Sequence, residues 1–252
     1  HYSSKPKQLS DFILDGMKHK GMSIVHVQSP CTTYNDTYDI LKGDRKKGIQ
    51  ALGHRGPDES GIYQSADNKV FIGHARLSLV DIDGGQQPFI RKDLVVAVNG
   101  ELYDYDVLRK DLEAKGHVFR SKSDSELVVH LYRQYKLNFV DYLRGEFAII
   151  LWDEKEHKLI AVRDRFGIKP LCYTANDEGV CFASEAKAIL AMGIVKGEWD
   201  PQAYYSVAMR QYLAPNQSLF KNIKQVPPGT LMVCDSNGIK PHVYWDLNYP
   251  QE

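Results

Sequence analysis

A chain of 252 residues, 43% apolar and 25% charged, is long enough to bury one large core or two small ones. Its 32 basic and 32 acidic residues cancel, which removes the electrostatic basis for capturing nucleic acid or an anionic membrane surface. The longest apolar runs, such as residues 147–152, fall far short of the roughly 20 residues that span a bilayer.

Taken in chain order, residues 1–21 place Leu9, Phe12, Ile13 and Met17 near helical spacing, which predicts an amphipathic extension or linker. His1 is not an initiator methionine, and no secretory signal is visible, so the chain reads as processed or cut from a larger polypeptide. A short apolar strand follows at residues 23–27. The tract KGDRKKG reads as a solvated charge run, and GHRGPDESG, residues 53–61, as a tight loop. Strand-length, β-rich runs stand at residues 69–72, 94–98, 147–153, 158–163, 171–174, 180–184 and 230–234. Helical spacing predicts helices over residues 106–115, from Val107, Leu108 and Leu112, and over 124–135, from Leu127, Val128, Leu131 and Tyr132. Ser123 is the expected cap of the second, with Glu126 completing a capping box. Shorter helices are expected at 185–191 and 201–213. Strands outnumber helices without a βαβ alternation, which points to an α+β fold with largely antiparallel sheets.

Four motifs carry candidate chemistry. GHRGPDESG concentrates a His, an Arg and two acids, though a turn has the same composition. In GHARLSLVD, residues 73–81, Arg76 follows a small residue on a strand-like run; a guanidinium so held grips a carboxylate bidentately, or serves as a surface ion-pair partner. VVAVNGELYDY, residues 95–105, ends an apolar strand in Asn99-Gly100. That pair suits a hairpin turn, or a two-donor cradle for an oxyanion made of a side-chain amide and a backbone N–H. SKSDSE, residues 121–126, sets Asp124 at a helix start, where it is a capping acid or a ligand for an ammonium group.

The order HRGPD, GHARLSLVD, AVNGELY, SDSE, RGEFAIILWD and VRDRFGIKPL, followed by SLFKNIKQVPPGTLM and YWDLNY, resembles the N-terminal glutaminase domain of glutamine-dependent asparagine synthetases, which are class II glutamine amidotransferases. The resemblance covers residues 22–246, leaving 1–21 as an extension and 247–252 as the start of a linker to a synthetase domain. It implies a four-layer αββα N-terminal-nucleophile hydrolase sandwich that hydrolyses glutamine and passes ammonia to an acyl-adenylate. It also implies that Arg76 grips the glutamine α-carboxylate and that Asp124, helped by Glu101, holds the α-ammonium. Asn99 and the Gly100 N–H then form the oxyanion hole, and Leu77 and Ser78 line the pocket with backbone groups.

The nucleophile half of that resemblance is missing. Family members open on Cys-Gly-Ile, whose free α-amine activates the thiol. Here the strand reads GMSIVHV behind 21 residues, so Met22 or Ser23 stands in the cysteine's place and a peptide nitrogen replaces the amine. Ser23 exposed by cleavage, or Cys31 from the following loop, are the substitutes within the chain. The expectation is a glutaminase-type domain impaired in hydrolysis, serving as scaffold for an ATP-dependent synthetase domain in cis or in trans, as in a biosynthetic assembly line. The alternatives are an active glutaminase and a glutamine-sensing or protein-binding module.

Further expectations are bland. No His, Cys, Asp or Glu cluster has metal-ligand spacing, so no metal or cofactor is expected in this domain; ATP and magnesium belong to the synthetase domain. Cys31, Cys172, Cys181 and Cys234 form neither a CxxC pair nor a disulfide framework, which fits reduced thiols and a cytoplasmic location. No nucleic-acid or membrane partner is expected.

Overall fold

Nine residues dictate the centre of the molecule. In the computed structural model, Leu94–Leu102 forms one long strand whose first five side chains are all buried, because each face of its sheet is covered. Val96 and Val98 point into a core shared with helices, whereas Val95 and Ala97 point the other way, onto Ile72, Tyr63 and Trp152. A strand buried on both sides reads as a continuous apolar run rather than an alternation, as LVVAV does.

The structure describes residues 45–78, 81, 83–176 and 179–248; the expectations for residues 1–44, including the amphipathic extension, the strand at 23–27, Ser23 and Cys31, lie outside them. The elements are α1 (Arg45–Gln50), β1 (Glu59–Gln64), β2 (Phe71–Arg76), β3 (Phe89–Arg91), β4 (Leu94–Leu102), α2 (Tyr105–Ala114), α3 (Leu127–Tyr135), β5 (Gly145–Asp153), β6 (Lys158–Arg163), β7 (Cys172–Asn176), β8 (Gly179–Ala183), α4 (Ala186–Ala191), α5 (Pro201–Arg210), β9 (Lys224–Gln225), β10 (Thr230–Asp235) and β11 (Gly238–Val243). Short 3-10 turns at Asp124–Glu126 and Lys136–Tyr142 flank α3.

Six strands form the main sheet in the order β11-β10-β6-β5-β4-β3, each pair antiparallel. Hairpins β1-β2 and the three-stranded β8-β7-β9 make smaller sheets. Helix α3 and the turn behind it seal one face of the main sheet, where Leu127, Val128, Leu131, Tyr132, Phe139 and Val140 meet the even-numbered residues of β4. On the opposite face Ala148, Ala161 and Met232 of the main sheet pack on Leu171, Val226, Tyr173 and Phe182. Outside that layer, α1 and α4 add a fourth, through Ala51 on Ala188 and Ala191, and through Ile189 on Cys172 and Ile223. The expected αββα layering with antiparallel sheets is therefore observed, each fully buried Leu, Ile or Phe contributing roughly 1.5–3 kcal/mol.

Several local expectations are corrected. Asn99-Gly100 is no hairpin turn: β4 runs through it, with Asn99 opposite Ala148 and Gly100 opposite Phe147. The loop expected over 53–61 gives way to strand at Glu59, and the strand expected at 69–72 begins at Phe71 and continues to Arg76. Of the charge run at 42–48, the described residues 45–48 lie in helix α1, with Gly48 against Met192 at the α4 end. Ser123 caps nothing with its side chain. Glu126, fully buried, instead accepts from the Ser121 N–H and hydroxyl (2.7 Å each), from the Arg120 N–H and from Arg91 Nη2. Burial by itself would raise its pKa, but His130 at 3.7 Å, Arg91, Ser121 and the Arg120 N–H outweigh it and hold Glu126 well below the ordinary carboxylate value.

VRDRFGIKPL is a structural buckle. Asp164 accepts from the N–H groups of Phe147, Phe166, Ile168 and Lys169, and Arg163 donates to the carbonyls of Lys169, Gly167 and Val226. A buried acid and a buried base each satisfy the backbone of a loop that no strand could cover.

Candidate functional site

Strand parity decides what the centre of β4 offers. In an antiparallel ladder, residues alternate between facing the partner strand and facing away. The Val98 N–H leaves β5 for the Gln87 carboxamide (2.7 Å), and the Leu102 N–H leaves it for Asp124 Oδ2 (2.7 Å). Opposite Gly100, the Phe147 N–H and carbonyl go to Asp164, not to β4. Gly100 therefore turns its N–H outward with its even-numbered neighbours, and among the described residues nothing accepts from it. A Cβ here would lie 1.9 Å from the Glu146 carbonyl oxygen, so only glycine lets β4 pass β5 this closely.

Side-chain parity places Asn99 on the same face as Val95 and Ala97, toward the small sheets. Its Nδ2 lies 3.5 Å from Ser184 Oγ, a long contact at the end of β8. Asn99 and Gly100 thus present a carboxamide and an unengaged amide side by side. Glu101 is exposed beside them.

Arg76 ends β2 and is 5% exposed. Its Nη1 donates to Glu59 Oε2 (3.1 Å) and its Nη2 to the Asp81 carbonyl (2.7 Å). Asp81 Oδ2 accepts from the Lys122 N–H (2.7 Å), in the loop that leads to Asp124. Asp124 is buried, accepts from the Ser125 N–H as well as from Leu102, and so closes a hydrogen-bonded path from Arg76 to β4. The motifs at 73–81, 95–105 and 121–126 are thereby drawn together. Leu77 is exposed, and the Ser78 N–H is engaged by Asp58 Oδ2 (2.8 Å). Ser23 lies outside the described residues.

The motif at 53–61 begins in a turn over 53–55, closed by the Arg55 N–H on the Leu52 carbonyl (2.8 Å), and its later glycines supply close packing. A Cβ on Gly56 would meet the Ala75 carbonyl at 2.2 Å, and one on Gly61 the Gln87 carbonyl oxygen at 2.0 Å. A cleft of ≈ 590 Å³ beside them is lined by Gly53, Gly56, Asp58, Glu59 and Ala75 among others; Asn99, Gly100 and Asp124 are not in its lining.

Residues that motif reading passed over complete the picture. His74 Nε2 lies 3.0 Å from the Val98 carbonyl, and burial, with Arg76 nearby, pushes its pKa down, so the neutral ring donates from Nε2. Near Ser184, Glu185 gathers Arg55 (3.0 Å), His54 (3.2 Å) and Lys187 (3.1 Å). Burial works against this carboxylate, but Lys187 and Arg55 prevail and keep its pKa low. His54 and Glu185 are 131 positions apart, a separation at which only the fold reveals a pairing. Among the described residues no group of three or more His, Cys, Asp or Glu side chains is placed to hold a metal ion, and no helix is long and apolar enough to cross a membrane.

Comparison with known proteins matches the family model described as "Glutamine amidotransferase domain" to residues 32–245. An amidase of Gibberella zeae is 39% identical over 224 residues, covering 84% of this chain and 33% of its own length. Asparagine synthetase [glutamine-hydrolyzing] 3 of Bacillus subtilis is 37% identical over 201 residues, covering 78% of this chain and 32% of its own. The chain spans about a third of the length of these relatives. Among solved structures, glutamine phosphoribosylpyrophosphate amidotransferase from B. subtilis superposes with a TM-score of 0.56 at 20% identity, over 79% of this chain and 45% of its own. An allosteric regulatory enzyme of purine biosynthesis does so with 0.52 at 23%, over 69% and 35%. At these identities the two structures speak for the fold alone.

Proposed function

The chain belongs to the class II glutamine amidotransferase domains of the asparagine synthetase family, and we propose that it binds glutamine at the Arg76, Asn99, Gly100 and Asp124 constellation without efficiently hydrolysing it. The observation that carries this reading is the outward, unengaged Gly100 N–H beside the Asn99 carboxamide. Two donors on one rigid strand edge are what a carboxamide carbonyl needs as its oxygen gains charge.

The rest of the site suits the remaining groups of an α-amino acid. Arg76 offers a carboxylate-matched fork on a strand end, and a ligand carboxylate takes the place of Glu59, whose side chain is a third exposed. Asp124 offers the opposite charge to an α-ammonium, with Glu101 nearby, and the backbone at Leu77 and Ser78 borders the pocket. The sequence carries Met22 and Ser23 where the resemblance places the opening cysteine, so the thiol and free α-amine that such domains use are not supplied by those residues. In this reading the domain is a scaffold and glutamine pocket for a synthetase domain in cis or in trans, which supplies ATP and magnesium chemistry.

Glutamine binding by calorimetry and ammonia release test it together, on the natural chain and on a variant carrying Cys-Gly-Ile in place of residues 1–24. The natural chain is expected to bind glutamine and release no ammonia, while the variant releases it. Ammonia from the natural chain would establish an active glutaminase and make Ser23 and Cys31 the residues to mutate. Absence of binding in both would leave only the scaffold role.

A further inference from the structure

We propose that Gln87 is the positioning residue of the Asn99 and Gly100 donor pair, a side chain that pairs with β4 where β3 has ended. This rests on the reading of that pair as the carbonyl-binding end of the glutamine site.

Strand β3 pairs with β4 only from Phe89 opposite Val96 to Arg91 opposite Leu94. Past Val96 no strand among the described residues pairs with the outer edge of β4, and such an edge presents N–H and C=O groups that need other partners. Gln87 fills the gap. Its Oε1 accepts from the Val98 N–H (2.7 Å) and its Nε2 donates to the Val98 carbonyl (3.1 Å). One carboxamide so reproduces the two-bond exchange that a paired strand residue makes. The neutral His74 ring adds a second donor to the same carbonyl at 3.0 Å.

The next anchor on this edge is Asp124 on the Leu102 N–H, four residues on. Asn99 and Gly100 lie between these two fixed points. Removing the clamp frees the near end of that span, and an oxyanion cradle works only when its donors are held before charge develops. Asn is one methylene too short to take both partners, and Glu keeps the acceptor but sets a second oxygen against the Val98 carbonyl. The Gln87 backbone is itself located by Gly61 of β1, where an added Cβ would collide with the Gln87 carbonyl. The glycine-rich motif and the donor pair are thus linked through one residue.

The test is amide hydrogen exchange and a glutamine titration by ¹⁵N NMR on the whole chain, for wild type, Gln87→Met and Gln87→Glu. Loss of both bonds in Gln87→Met is expected to speed exchange at Val98 by about tenfold or more. It is also expected to abolish the glutamine-induced shift of the Gly100 amide, while affinity, set by Arg76 and Asp124, changes by less than about threefold. In Gln87→Glu, Val98 stays protected and the Gly100 response weakens, which keeps the proposal testable if the Met variant folds poorly. An unprotected Val98 amide in wild type, or an unchanged Gly100 response in both variants, would overturn it. So would an affinity loss with the Gly100 response intact, since that marks a ligand contact instead. A wild-type chain that binds no glutamine removes the functional reading and leaves Val98 exchange to decide the clamp.

Discussion

Gly100→Ala probes the centre of the sheet and the donor pair at once. The added methyl would lie 1.9 Å from the Glu146 carbonyl oxygen and 2.7 Å from the Phe147 Cα. A carbon–oxygen contact of about 3.3 Å requires β4 and β5 to part locally by roughly 1.4 Å, against a spacing of about 4.8 Å. By the parity argued above, the flanking pairs, Asn99 with Ala148 and Glu101 with Glu146, are the hydrogen-bonded ones. Losing about two of those bonds costs roughly 1 kcal/mol each, and overpacking adds about 1–3 kcal/mol, for about 3–5 kcal/mol in all. In a domain of this size each kcal/mol lowers Tm by about 2–4 °C, so Gly100→Ala is expected to melt about 6–20 °C early. Thermal unfolding followed by far-ultraviolet circular dichroism reads this directly. Gly197→Ala, where an added Cβ makes only ordinary contact with Leu190 at 3.7 Å, serves as control and should stay within about 1 °C. A Gly100→Ala melt within about 2 °C of wild type would show that the strands do not pass as closely as described.

Three further outcomes follow from named groups. Arg76→Lys keeps the charge but loses the planar fork that reaches Glu59 and Asp81 together, so calorimetry should find glutamine binding at least about tenfold weaker; an unchanged affinity would remove Arg76 from the site. Glu126 is held below its ordinary pKa, so it contributes stability above the unfolded-state value near about pH 4. That contribution drains away as pH falls toward its folded value, and denaturant melts of Glu126→Gln should lack this part of the acid limb. A wild-type acid limb in the variant would contradict the assignment. Burial pushes the Cys172 thiol up, and burial with Asp235 pushes Cys234 up to about 12. At pH 8 a disulfide reagent should therefore label both only on unfolding, and rapid labelling of the native chain would refute their burial.

The chain's apolar runs were legible wherever one element buries itself. The run at 94–98, the helices over 106–115 and 124–135, and the strands of β5, β6 and β10 all stand within a few residues of their expected places. Elements that rely on neighbours were not. Strand β3 has three residues and β9 two, too short for any periodicity, and β11 is an exposed edge strand containing Pro241. Strand β1 hid inside a glycine-rich motif, because Gly56 and Gly61 serve close backbone approach and not a turn. The capping box expected at Ser123 failed because Glu126 had stronger partners in Arg91 and the Arg120 and Ser121 amides.

By itself, the order of the motifs determined the family and the layered antiparallel architecture, since both depend on which residue types recur at which spacing. Tertiary structure alone decided that Asn99-Gly100 continues a strand instead of turning. A turn and a strand edge differ only in what lies opposite, and what lies opposite is Phe147, whose backbone is already engaged by Asp164. The same holds for Gln87, His74 and the Glu185 cluster. Gln87 and Val98 are 11 residues apart, His74 and Val98 24, and His54 and Glu185 131, and hydrogen bonds are set by distance in space, to which separation along the chain is no guide.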